Sequence, residues 1–160
     1  MGSMAAMSNR RAAAMERATE VMRDLMARAV LFQEAAAKSG GLNSTDLQCV
    51  GLLMSEGPAT PGELAERAGL TAGGAITAVV DRLEAAGFVH RERDPADRRR
   101  VIVTADLQAV YTRFGEIYGR IGERWNAYLA TLSDEQLEFA NELFQRAADV
   151  NREEIELLRG

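Results

Sequence analysis

Thr60 to Thr104 reads T-P-G-E-L-A-E-R-A-G-L-T-A-G-G-A-I-T-A-V-V-D-R-L-E-A-A-G-F-V-H-R-E-R-D-P-A-D-R-R-R-V-I-V-T. Two short helix patterns separated by a tight turn come first. Thr60 is placed to cap the first, Pro61 suits its first position, and Glu63 completes a capping box. Leu64 and Ala68 make its inward face, and Gly69 fits the left-handed position that follows a helix. Thr71 can cap the second helix. There Ile76, Val79, Val80 and Leu83 recur at spacings of 3, 4 and 3, a single buried stripe ended by Gly87. That stripe leaves Ala72, Gly73, Thr77, Ala78 and Asp81 outward, with Gly74 near the edge.

Phe88 to Arg93 and Arg100 to Thr104 alternate with a strand period. Between them lies Asp94-Pro95-Ala96-Asp97-Arg98-Arg99, with turn formers at both ends. Arg91, Arg93, Arg98, Arg99 and Arg100 cluster in this hairpin. A charged hairpin alone reads as a solvated surface. Directly after a helix-turn-helix it reads as an arm against phosphates or in the minor groove. The whole stretch is therefore a winged helix-turn-helix, a DNA-reading device.

The segments V-D-R-L-E-A-A-G-F-V, Val80 to Val89, and D-P-A-D-R-R, Asp94 to Arg99, resemble the MarR family of multiple antibiotic resistance regulators. The resemblance in order and length covers about Met15 to Leu158. It implies a mainly α fold of about six helices with a small β-hairpin wing, assembled as a MarR-like homodimer. It further implies a ligand-responsive repressor of transcription; a two-fold dimer would read a pseudo-palindromic operator, and the lack of a signal pattern or spanning run makes the expected location cytoplasmic. Carried onto this chain, Thr71 to Arg82 would lie in the major groove. Arg98 or Arg99 would reach the minor groove, and Asp97 would orient an arginine. The expected DNA-contacting set is Thr60, Thr71, Ala72, Gly73, Gly74, Thr77, Ala78, Arg82, Arg91, Asp97, Arg98 and Arg99.

The second helix departs from direct base reading. Its outward face holds no Arg, Lys, Asn or Gln before Arg82, and those side chains make the bidentate base contacts. Thr77 or Ala78 could touch a thymine methyl. Specificity then rests more on DNA shape and on the wing.

The 160 residues suffice for one domain with a real core. Met1-Gly2-Ser3 reads as a cloning scar, and residues 1–10 are expected to be disordered. Residues 11–42 form an N-terminal dimerisation helix, 43–104 the DNA-binding part, and 105–160 the C-terminal dimerisation helices. No apolar run of spanning length and no signal pattern occurs, so no membrane partner is expected. The net charge of −5 argues at first against nucleic acid, but its distribution answers that. Residues 1–40 carry +2, residues 41–104 carry −2 and residues 105–160 carry −5, while the wing tip is locally basic.

The first helix is expected from Arg11 to Lys38. Met15, Ala18, Met22, Leu25, Ala29, Phe32 and Ala36 alternate spacings of 3 and 4, a heptad-like seam. Ser39-Gly40-Gly41 ends it. Asn43 can cap a second helix from Ser44 to Ser55, and Pro58-Ala59 adds an extended piece beside the wing. After the wing, Thr104 can cap a long helix. Leu107, Tyr111, Phe114, Tyr118, Ile121, Trp125, Tyr128 and Leu132 form one stripe along it, ~37 Å long. Gly115, Gly119 and Gly122 lie beside that stripe, either admitting a close neighbour or merely tolerated. Ser133 to Gln136 is a capping box for a last helix. Long terminal helices around a small reading head suggest a dimer built from those helices.

An enzyme would need a nucleophile with its base, a metal cluster or a phosphate loop. Cys49 and His90 are each the only residue of their kind and lie far apart in sequence, and Gly73-Gly74 does not match a phosphate loop. No catalytic site, metal or cofactor is expected. The alternative function is a winged-helix protein–protein interaction module without sequence-specific DNA binding. Cys49 raises the hydroperoxide-sensing branch of the family, which carries its reactive cysteine near the start of the first helix. Here it sits beside inward-facing Val50 and reads as buried filler. His90 receives no mechanism. A small aromatic or phenolic effector is expected between the helical dimer region and the reading head. Phe32, Cys49, Tyr111, Phe114, Gly115 and Tyr118 would line its pocket, with Arg113 the nearest cation on the long helix.

Overall fold

The computed structural model describes residues 2–70 and 73–159. The elements follow in the order α1 (Gly2–Ser39), α2 (Ser44–Glu56), α3 (Pro61–Ala68), α4 (Gly74–Ala85), β1 (Val89–Arg93), β2 (Val101–Ala105), α5 (Leu107–Leu129) and α6 (Asp134–Arg159). The fold is mainly helical with one antiparallel hairpin, and residues 61–105 form a winged helix-turn-helix. The chain groups into two compact units, Met1–Gln48 and Cys49–Gly160.

In the first unit, α1 begins well before the expected start at Arg11. The expected disorder of the N-terminal segment is thus corrected for residues 2–10. The segment has no proline, and Met4, Ala5, Ala6 and Met7 at its centre are good helix formers. The helix ends where the glycines predict. Leu42 N–H donates to the Ala37 carbonyl at 2.9 Å and Gly41 N–H to that of Lys38 at 3.1 Å, with Gly41 at φ 78°. This pairing satisfies carbonyls the helix end would leave open. Asn43 Oδ1 then accepts the Asp46 N–H at 2.8 Å, the expected cap of α2. Met15 and Leu25 of the α1 seam are exposed, Met22 and Phe32 half-buried, and Ala36 buried.

In the second unit, the capping box at α3 forms as its spacing dictates. Thr60 Oγ1 accepts the Glu63 N–H at 3.3 Å, and the Glu63 carboxylate accepts the Thr60 N–H at 2.7 Å. Gly69 sits at φ 67°, and Leu70 N–H closes the helix on the Ala65 carbonyl at 2.8 Å. Ile76, Val79, Val80 and Leu83 of α4 are buried, as is Leu64 on α3. Thr71, the expected cap of α4, lies outside the described residues, as does Ala72. Gly73 takes the cap position at φ 125°, ψ −139°, without a side-chain hydrogen bond. Only glycine adopts that conformation without strain.

The wing pairs Val89 with Ala105 through Arg93 with Val101. Ala59 adds the expected extended piece through two hydrogen bonds to Val103, at 3.1 and 2.8 Å. Thr104 does not cap α5. It stays in β2 opposite His90, and Asp106 caps the helix by accepting the Ala109 N–H at 2.9 Å. A carboxylate at that position also suits the positive end of the helix dipole. Phe88, just before β1, stacks at 5.6 Å on Phe114, tying the wing base to α5.

The long stripe ends earlier than its spacing suggested. α5 stops at Leu129, so Leu132 falls in the turn before α6. Ser133 and Gln136 form the predicted capping box, at 2.9 and 3.3 Å. Trp125 meets Phe144 edge-on at 6.3 Å across the α5–α6 hairpin. Apart from buried Phe114, the stripe residues of α5 from Leu107 to Tyr128 remain exposed in the single chain.

Candidate nucleic-acid interface

The exposed face of α4 carries Gly74, Thr77, Ala78, Asp81 and Arg82, preceded by Gly73. Its stripe of four buried residues sets this orientation, because their spacing turns the remaining positions outward. The Thr77 hydroxyl donates to the Gly73 carbonyl at 3.2 Å, holding the first turn of α4 onto its cap. Thr60, also expected at the interface, spends its hydroxyl oxygen and backbone N–H on the α3 capping box.

The five wing arginines separate into two groups. Arg91 reaches back to α4: its guanidinium pairs with both Asp81 and Glu84, and its backbone N–H donates to Glu84 Oε1 at 3.2 Å. Desolvation lowers its pKa, but the hydrogen bonds and charges of Asp81 and Glu84 outweigh this and raise it above the ordinary guanidinium value, so it stays a cation. Arg93 donates to the Arg98 carbonyl at 3.0 Å. Arg100 pairs with Glu63 of α3 at 2.9 Å and lies 4.0 Å from Asp94. Arg98 and Arg99, at the tip, are exposed, and among the described residues neither guanidinium has a hydrogen bond or ion pair.

The tip is held by its own acids. Asp94 Oδ1 accepts the Ala96 N–H at 2.8 Å, and Asp97 Oδ1 accepts the Arg99 N–H at 3.0 Å. The Arg100 N–H closes the turn on the Asp97 carbonyl at 2.9 Å. Asp97 thus binds the backbone of Arg99 and, among the described residues, pairs with no guanidinium. A fixed turn offering two unpaired cations suits phosphate and minor-groove contact.

This arrangement matches known proteins. Residues 42–101 match the MarR family model. Over 142 residues the chain is 40% identical to the HTH-type transcriptional regulator YcgE of Bacillus subtilis (strain 168), covering 89% of this chain and 91% of that protein. The chain belongs to the MarR family. As a MarR-family protein it is a transcriptional regulator with a winged helix-turn-helix. Its fold is also that of a MarR-like transcriptional regulator from Thermotoga maritima, 27% identical, with a TM-score of 0.62 over 84% of this chain and 96% of that one. MarR itself, at 21% identity and a TM-score of 0.54 over 84% of this chain and 98% of that one, shares the fold.

In this MarR-family chain the residues expected to line an effector pocket behave differently from one another. Cys49 and Phe114 are fully buried, and Phe114 is engaged with Phe88. Tyr111 and Tyr118 are exposed on α5, Gly115 is half-buried there, and Phe32 is half-buried on α1. A Cβ added at Gly115, Gly119 or Gly122 would meet no atom within 4 Å. Arg113 instead lines a shallow cleft of about 560 Å³ with Phe88, Asp106, Gln108 and Thr112. Among the described residues no cluster of His, Cys, Asp and Glu could hold a metal ion, and no helix is long and apolar enough to cross a membrane. The spacing of Asp81 and Glu84 on one helix face was a readable sign of a basic partner. That Arg91 is this partner depends on how the hairpin folds back, and sequence reasoning missed it.

Proposed function

We propose that the protein binds a pseudo-palindromic duplex as a homodimer and represses transcription from it. One observation carries the DNA reading: Arg98 and Arg99 stand unpaired, among the described residues, at the tip of a wing whose other arginines are held by the protein. Gly73, Gly74, Thr77, Ala78 and Arg82 of the α4 face would enter the major groove, and the wing tip the minor groove. Thr60 acts by ordering the start of α3, and Arg91 by holding the wing to α4. The dimer reading is supported by the exposed apolar side chains of α1, α5 and α6, among them Leu25, Ile121, Trp125 and Leu158.

Release by a small aromatic or phenolic effector belongs to the same proposal. The exposed α5 tyrosines, Tyr111 and Tyr118, beside Gly115 offer ring faces, with Phe114 buried on the same helix.

Selection of bound sequences from a random duplex pool, with light scattering of the free protein, tests the reading. The expected result is a dimer at micromolar concentration and two half-sites centred about 34–36 Å apart. A monomer that binds one half-site sinks the dimer. A protein that retains no duplex at low salt is a protein–protein module instead. A panel of aromatic acids and phenols, read by thermal shift and DNA release, tests the effector; no shift across the panel removes it.

A further inference from the structure

The α4 face that would meet DNA carries an aspartate, Asp81, with Glu84 one turn on. Two carboxylates there oppose a phosphate backbone. Arg91 comes from the first strand of the wing, and its guanidinium meets both: Nη2 pairs with Asp81 Oδ1 and Nη1 with Glu84 Oε2. Its side chain is only 26% exposed, so little of it is left to face solvent or a phosphate.

We propose that Arg91 is a positioning and charge-cancelling residue rather than a DNA contact. By bridging Asp81 and Glu84 it offsets the acidity of the α4 reading face and locks the wing to that helix. This rests on the DNA-binding reading above. It also accounts for the composition of the face. With no Arg, Lys, Asn or Gln before Arg82, α4 offers few attractive contacts to outweigh two bare carboxylates. A rigid wing then delivers Arg98 and Arg99 at a set distance and angle from α4, which suits reading by shape.

The alternatives separate by charge rescue. Affinity for the selected site would be measured for wild type, Arg91→Ala, Asp81→Asn/Glu84→Gln, and the triple variant, with thermal midpoints alongside. Arg91→Ala should weaken binding roughly tenfold at low salt through uncompensated repulsion. The triple variant should recover most of that affinity, and Asp81→Asn/Glu84→Gln should bind at least as well as wild type. If Arg91→Ala does not fold, Arg91→Gln takes its place. A triple variant as weak as Arg91→Ala would mean that the loss does not come from bare carboxylates on α4, overturning the proposal. Arg91→Ala binding as tightly as wild type would overturn it equally. Wild type that binds no duplex would remove the DNA reading and this inference together, whereas wild-type binding without rescue removes this inference alone.

Discussion

The Arg100 guanidinium donates to Glu63 Oε1 at 2.9 Å, joining the base of the wing to the first turn of α3 across 37 positions of sequence. The same Glu63 carboxylate accepts the Thr60 N–H through its other oxygen. One side chain thus starts the helix-turn-helix and anchors the wing. Its pKa is lowered mainly by the Thr60 backbone N–H, then by the Thr60 hydroxyl, with Arg100 and Arg67 adding to this against a desolvation effect.

A depressed folded-state pKa contributes stability that is present above the unfolded value and is lost as pH falls through the folded one. Glu63 should therefore stabilise the protein above its unfolded value near 4.5 and stop doing so in stronger acid. Thermal melts from neutral pH into acid should show the wild-type midpoint falling more steeply than that of Glu63→Gln, the two converging at the acid end. Glutamine keeps the cap but loses the ion pair, so parallel curves would detach Glu63 from the acid response.

Gly73 and Gly74 should answer substitution with opposite signs. Gly73→Ala forces a side chain into φ 125°, ψ −139°, at a cost of roughly 1–3 kcal/mol. At Gly74, inside α4, a Cβ meets no atom within 4 Å, and Gly74→Ala should stabilise by ~0.5–1 kcal/mol. Urea denaturation of the two variants checks both signs.

Arg98→Ala/Arg99→Ala should weaken binding across all duplex sequences and reduce the salt slope by about 2, one unit for each phosphate no longer neutralised. Its thermal midpoint should stay at the wild-type value, since neither guanidinium has a partner among the described residues. Binding isotherms at several salt concentrations decide it. An unchanged slope would remove the wing tip from the interface.

Cys49 is completely buried, and peroxide should leave DNA binding unaltered. Cys49→Ser should cost about 1–3 kcal/mol from burying a hydroxyl, with no change in peroxide response. Failure to bind after peroxide treatment in wild type but not in Cys49→Ser would make it a sensor.

What the sequence alone determined about this protein is local. Thr60 and Glu63, Ser133 and Gln136, Gly69 and the stripe from Ile76 to Leu83 all work within one or two helical turns, where spacing fixes geometry. The wing followed from alternation and from Asp94-Pro95, and the family from the residues around Val80 to Arg99. Thr104 shows the limit of such signals. It is a good cap in isolation, but strand pairing to His90 claims it and Asp106 takes the role. The five wing arginines are alike in sequence, and only the tertiary structure divides them. Arg91 finds carboxylates 10 and 7 positions away and Arg100 finds one 37 away, because the hairpin folds back over α3 and α4. Arg98 and Arg99 remain unpaired among the described residues, while Asp94 and Asp97 each give one oxygen to the backbone of the turn. Which cations are left for DNA is a question of distance in space, and spacing along the chain does not contain it.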